Sequence, residues 1–257
     1  MKFLVIGLVA FAASGLTLFA GFGLGTLLTP AFALFFPVQL AVGLTAVVHF
    51  ANNAFKLALL GRHADRRVVL RFGVPAIVAS YAGAKLLVWL SDLSPLLTYE
   101  LAGRILRVMP VNAVVAALLL VFVALELSPR FAAVQVPPRW LPLGGLLSGF
   151  FGGLSGTQGA LRSAFLVKSG LGKEAFVATG VVIACLIDAA RLTVYARHFS
   201  RADLSENAPL LAVACACAFA GAYLGARLLK KVTMASVQRA VAGGLVLIAL
   251  ALAMGLV

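Results

Sequence analysis

The chain has 257 residues, 63% of them apolar and only 11% charged, with a formal net charge of +13. Soluble domains sit near half apolar and a quarter charged, so a soluble fold could not hide this much apolar surface. Several runs also reach the roughly 20 apolar residues that cross a bilayer as a helix. Lipid offers no hydrogen bonds to bare backbone, so spanning elements must be helices or a closed barrel. The runs lack the period-two alternation of a barrel, and the expected class is all-α: a polytopic transmembrane helix bundle.

In chain order the apolar segments fall at 3–36, 38–60, 68–90, 102–127, 141–169, 174–196, 207–229 and 235–257. Lys2 followed by an apolar run resembles a signal peptide, but the run reaches Pro30 without a small-residue cleavage site and reads as mature structure. The stretch Ser128–Trp140, with Pro129, Pro137 and Pro138, is the natural joint. It divides the chain into a first transmembrane repeat at 1–127, a linker at 128–140 and a second repeat at 141–257.

The two halves share motifs in the same order. Tyr81-Ala-Gly-Ala-Lys85 matches Tyr223-Leu-Gly-Ala-Arg227, and Asn53-Ala-Phe-Lys56 matches Asp188-Ala-Ala-Arg191. Ala41–Thr45 matches Ala175–Thr179, and Ser14-Gly15 matches Ser148-Gly149. Internal duplication of this kind is typical of secondary transporters.

The first segment of each half is too long for one straight crossing and is interrupted by glycines, at Gly21, Gly23 and Gly25 and at Gly152–Gly159. Each glycine costs a helix about 1 kcal/mol against alanine, so a cluster should unwind a turn. Unwound backbone at membrane depth is tolerated only where protein or a cavity covers it. Paired breaks in two halves therefore point to a transport site; single glycines would more ordinarily serve close helix packing. If each broken segment is re-entrant, each half crosses three times and the halves are inverted. If each spans, they are parallel. Counting Lys and Arg in the loops favours the inverted arrangement narrowly.

The basic residues lie mostly in short loops and at helix ends, as a positive-inside bias and snorkelling require. No basic patch is interleaved with aromatics, so no nucleic-acid partner is expected. Cys185, Cys215 and Cys217 lie in apolar runs and His49, His63 and His198 are dispersed. No disulfide framework, metal site or cofactor is expected.

A charge near the bilayer centre costs about 2.5–3.5 kcal/mol on insertion scales, so buried charges are candidates for function. Asp188 lies deep in its segment with Arg191 one turn on. The pair either neutralises itself, or Arg191 faces an anion while Asp188 orients it or titrates. At the matching place in the first half stand His49, Asn52, Asn53 and Lys56, with no acid partner for Lys56. Thr45 and Thr179 are matched hydroxyls, and Ser155, Gly156, Thr157, Gln158 and Gly159 form the second break, followed by Arg162. A half-helix that starts at a break points free N–H groups and a positive dipole end inward, which suits an anion. Arg191 and Lys56 are the expected flanking cations.

With these residues assembled, the chain resembles the sulfite exporter TauE/SafE family over nearly its whole length. The carriers are Gly21–Pro30, Ala41–Thr45, His49-Phe-Ala-Asn-Asn53-Ala-Phe-Lys56, Gly156-Thr-Gln158-Gly-Ala-Leu-Arg162-Ser-Ala-Phe165 and Lys173–Gly180. Relatives often carry histidine where this chain has Thr157. The resemblance implies an inner-membrane, multi-pass transporter of a sulfur oxyanion or organosulfonate, with alternating access between the repeats, no enzymatic role, and lipid and a small anion as partners. A homodimer is one assembly it allows. The alternatives are a membrane-embedded receptor or structural protein, which would not need matched breaks, and an intramembrane enzyme, for which no acid–base constellation is visible.

Overall fold

Why the chain folds as it does follows from where its apolar runs stop. In the computed structural model, which describes residues 1–16, 23–134, 136–199, 205–228 and 234–256, helices fill the segments and the polar or glycine-rich stretches break them. The first half contributes α1 (Lys2–Leu16), α2 (Leu24–Ala33), α3 (Val38–Leu60), α4 (Arg66–Ser91) and α5 (Pro110–Leu127). After the short α6 (Pro129–Ala132), the second half contributes α7 (Leu141–Ser155), α8 (Gly159–Leu166), α9 (Lys173–His198), α10 (Ala208–Leu228) and α11 (Met234–Ala253). Among the described residues, α4, α5 and α9 and the Val38–Ala58 part of α3 are long and apolar enough to cross a membrane. The protein is an all-α helical membrane protein.

One stretch departs from the sequence reading. Residues 102–127 read as a single apolar segment, but the helix begins only at Pro110. Ahead of it an antiparallel hairpin pairs β1 (Leu97–Leu101) with β2 (Arg104–Val108). The two-residue loop, Ala102 and Gly103, has φ of 50° and 75°. Positive φ at both loop residues matches the right-handed twist of paired strands. Pro110 at the first helical turn then lets α5 start without losing a backbone bond. Apolar composition alone hid this alternation of Leu, Tyr, Ile and Val with polar residues.

Both broken segments fold back on themselves. In the second, a Cβ on Gly144 at the start of α7 would lie 2.4 Å from the Phe165 ring near the end of α8. Ser148 Oγ donates to the Gln158 carbonyl at 3.0 Å between them. In the first, Lys2 at the start of α1 places its ammonium 5.6 Å from the ring of Phe36, just past α2.

Two helix pairs pack antiparallel. Along α3 and α9, Gly43 receives the Phe199 ring, His49 meets Asp188 and His63 lies 3.6 Å from Glu174. Along α5 and α11, Gly255 covers the Arg107 carbonyl, Tyr99 donates to the Met254 carbonyl at 2.6 Å, and Val123 packs with Ala242 and Leu245.

The tightest seam joins the halves. A Cβ added to Gly145, Gly149 or Gly153 of α7 would fall 2.1, 2.2 or 2.1 Å from the carbonyl oxygens of Phe72, Ala76 and Ser80 on α4. From the other side, one on Gly83 would fall 2.1 Å from the Phe150 carbonyl. Small residues at four-residue spacing let two backbones touch, and these two do so over three turns. α1 and α10 meet in the same way, where a Cβ on Gly221 would lie 2.1 Å from the Phe11 carbonyl. Each broken hairpin is thus carried by a long helix of the other half.

Candidate functional site

The start of α2 meets the break between α7 and α8. α7 ends at Ser155, and Gly156 turns the chain with φ 80° while its N–H bonds the Gly152 carbonyl at 3.1 Å. That left-handed conformation favours glycine. The Gly156 carbonyl then approaches Gly25 so closely that a Cβ there would sit 2.3 Å from it. A Cβ on Gly23 would lie 3.9 Å from the Gly159 backbone nitrogen. Gly23 precedes the first residue of α2 and Gly159 begins α8, and neither helix has a side-chain cap at its N-terminus. Two positive dipole ends therefore converge.

A cavity of about 170 Å³ opens beside this junction. From the breaks it is lined by Gly23, Gly25, Gly156, Gln158 and Gly159, and from α3 by His49, Asn52, Asn53 and Lys56. Arg162, Ser163 and Leu166 of α8 and Phe176, Val177, Gly180 and Val181 of α9 complete most of the wall. His49, Asn52, Asn53 and Lys56 follow i, i+3, i+4, i+7, one stripe of a helix. Among the described residues, two cations, Lys56 and Arg162, line the space and no carboxylate does.

Arg162 is held from below: its Nη1 donates to Gln158 Oε1 at 3.0 Å. Gln158 Nε2 donates in turn to Asp188 Oδ1 at 3.2 Å. Asp188 is fully buried and is surrounded by donors. Arg191 reaches it through Nε at 3.0 Å and Nη2 at 2.7 Å, and His49 Nδ1 lies 2.5 Å from its other oxygen. Arg191 Nη1 donates to the Gly152 carbonyl at 3.1 Å, and Tyr195 donates its hydroxyl to the Gly153 carbonyl. The Asp188–Arg191 pair thus spends its charge internally and fastens α9 to the last turn of α7. Ser14 Oγ donates to Asn52 Oδ1 at 3.2 Å, which leaves the Asn52 amide hydrogens to the cavity side of α3.

The sulfite exporter TauE/SafE family pattern matches residues 6–252. The chain belongs to this family. No curated protein and no solved structure matched it. Membership makes the protein a multi-pass membrane transporter of the sulfite or anion exporter type.

Of the residues singled out in the sequence, the cavity of this family member gathers ten: Gly23, Gly25, His49, Asn52, Asn53, Lys56, Gly156, Gln158, Gly159 and Arg162. Gly21 lies outside the described residues. Asp188 and Arg191 sit behind the wall, and Arg191, expected as a flanking cation, is 0% exposed. Thr179 does not face the breaks; its Oγ1 accepts from the Asp65 backbone N–H at 2.9 Å and ties α9 to the start of α4. Ser155 and Thr157 share a 2.6 Å hydroxyl contact within the break, and Thr45 is fully buried with no hydrogen-bond partner for its Oγ1. None of these four hydroxyls lines the cavity. Ser163, next to Arg162 in the sequence, also lines it, and so do Phe176 and Gly180, which the sequence did not single out for the site. Gly180 gives the Arg162 guanidinium room, with its virtual Cβ 3.6 Å from Nε.

Proposed function

We propose that the chain carries a small anion, sulfite or an organosulfonate, across a bacterial inner membrane by alternating access at this cavity. The observation that carries the reading is the convergence of two uncapped helix N-termini and two cations on a space with no carboxylate in its wall. Backbone N–H groups and a dipole end hold an anion without a full counter-charge. Lys56 and Arg162 add charge-assisted bonds, which are about twice as strong as neutral ones. The Asn52 and Asn53 amides, Gln158 and Ser163 are neutral partners that fix its orientation. Asp188 would repel an anion if it stood alone, but Arg191 neutralises it. The reading is of a transporter and not an enzyme, because the groups at the site hold charge and the family is one of transporters.

Alternating access is supported by the antiparallel run of α3 against α9 and α5 against α11. We take residues 1–127 and 141–257 as inverted repeats joined by 128–140. The α3–α4 corner and the segment after α9 then face opposite sides of the membrane. In a background lacking Cys185, Cys215 and Cys217, Arg67→Cys and Ser205→Cys should react with an impermeant maleimide from opposite sides. Labelling from one side would require parallel repeats.

The anion reading is tested with purified protein in detergent. Sulfite, thiosulfate or sulfoacetate should raise the thermal stability, by about 2.7 kcal/mol when the ligand is at a hundred times its Kd. No stabilisation by any of the three, together with no flux of them in proteoliposomes, would overturn it.

A further inference from the structure

Among the described residues, His49 is the one ionisable group in the cavity wall that also touches the buried Asp188. We infer that His49 takes up a proton as the anion enters, so that anion and proton occupy the site together. The inference rests on the anion reading above and adds a second ligand to it.

The geometry of the imidazole carries it. Its Nδ1 lies 2.5 Å from Asp188 Oδ2, and a carboxylate only accepts, so Nδ1 is the donor. The neutral ring then keeps its lone pair on Nε2. The Asn53 Nδ2 amide, itself a donor, lies 3.0 Å from Nδ1 and 3.4 Å from Nε2; with the Nδ1 hydrogen given to Asp188, only the Nε2 lone pair can accept from it. Among the described residues a second proton on Nε2 has no acceptor in this arrangement, and a buried donor without an acceptor is costly. An anion in the cavity supplies that acceptor. The proton in turn adds a third positive group around the anion, beside Lys56 and Arg162. Each ligand makes the other's site, and by linkage the coupling is reciprocal.

The charged surroundings of His49 come from three elements. α9 presents Asp188 and Arg191, with Cys185 beside Asp188. α8 presents Arg162, and α3 itself presents Lys56 one stripe-step beyond Asn53. α2 brings Gly23, Leu24 and Gly25, none of which ionises. The Asp188 charge is shared with Arg191, so His49 does not hold a proton merely to balance an orphan carboxylate. The proton comes from solution and no bond is made or broken beyond N–H.

Calorimetry in buffers of different ionisation enthalpy counts the protons. Thiosulfate and sulfoacetate are suitable probes, since both stay fully ionised between about pH 6 and pH 8, where histidine titrates. The wild-type protein should take up about one proton per anion bound near its midpoint, and anion affinity should fall as pH rises, because the bound state holds more protons. His49→Gln should bind the probes more weakly and with a proton count near zero at saturation. The double variant His63→Gln with His198→Gln, which leaves His49 as the sole histidine, should keep the full count.

Anion binding with no proton change in the wild type would overturn the inference while leaving the anion site standing. So would a full count in His49→Gln; the proton would then sit elsewhere, for which Glu126, whose buried Oε2 lacks a hydrogen-bond partner in the adjoining cavity, offers a carboxyl group. Loss of the count in the double variant would also overturn it, and this holds even if His49→Gln does not fold. Failure of the wild type to bind either probe would overturn both readings at once.

Discussion

Replacing Arg162 or Lys56 by glutamine should weaken anion binding by roughly 10- to 150-fold each, taking about 1.5–3 kcal/mol for a hydrogen bond to a charged group. The apo protein should not lose stability in step. Lys56 and Arg162 face the same space and repel one another, and neither has a carboxylate partner in the cavity wall. Losing one of two like charges relieves the empty site and harms the filled one. The double variant should bind the anion too weakly to measure by thermal shift. Titration calorimetry on each variant, beside its melting temperature in detergent, separates the two effects. If Arg162→Gln and Lys56→Gln keep wild-type affinity, the anion does not sit between them.

Asp188→Ala should instead cost stability, about 3–5 kcal/mol, because it leaves the Arg191 guanidinium buried with no counter-charge. Arg191 and Asp188 are both 0% exposed, so water cannot rescue either. Arg191→Gln should destabilise by a similar route, leaving Asp188 with only His49 and Gln158 as donors. The double change Asp188→Leu with Arg191→Met should cost less than Asp188→Ala, since an apolar pair of similar volume removes both desolvation penalties. Size-exclusion profiles and melting temperatures read this out. A stable, monodisperse Asp188→Ala protein would mean that Arg191 finds another partner or an entry for water.

The helical membrane class could be read directly from composition, and so could the position of the second break, between Ser155 and Gly159; the first falls largely outside the described residues. The stripe His49, Asn52, Asn53, Lys56 was also legible, because side chains at i, i+3, i+4 and i+7 must share a helix face. What the sequence could not say is which way α9 is turned. Thr179 and Asp188 are nine residues apart, about two and a half turns, so they point to opposite sides of the helix. Thr179 accordingly meets Asp65 while Asp188 looks inward. Arg191 follows Asp188 by one turn and is drawn in with it. The choice between a self-neutralising pair and an anion clamp was open in the sequence, and the donors around Asp188 from α3 and the second break account for the inward turn. Gln158 stood one turn ahead of Arg162 in the sequence, but Gly180, which gives the guanidinium room, belongs to α9. The β1–β2 hairpin was hidden because its alternation is short and its loop, Ala102-Gly103, lacks the asparagine or aspartate that usually marks such a turn.

The seam of glycines between α4 and α7 also sets an order of assembly. α4 is synthesised long before α7, and α1 long before α10, so each early helix enters the bilayer with its closest partner still missing. Until α7 and then α10 have left the ribosome, the small-residue faces of α4 and α1 have only lipid, or the wrong helix, against them. Chains that stop at the 128–140 linker would carry two such unfilled faces, and two of them could fill each other by mispairing. The newborn protein is therefore most exposed to quality control late in synthesis, and the C-terminal helices close a structure that the N-terminal ones can only begin.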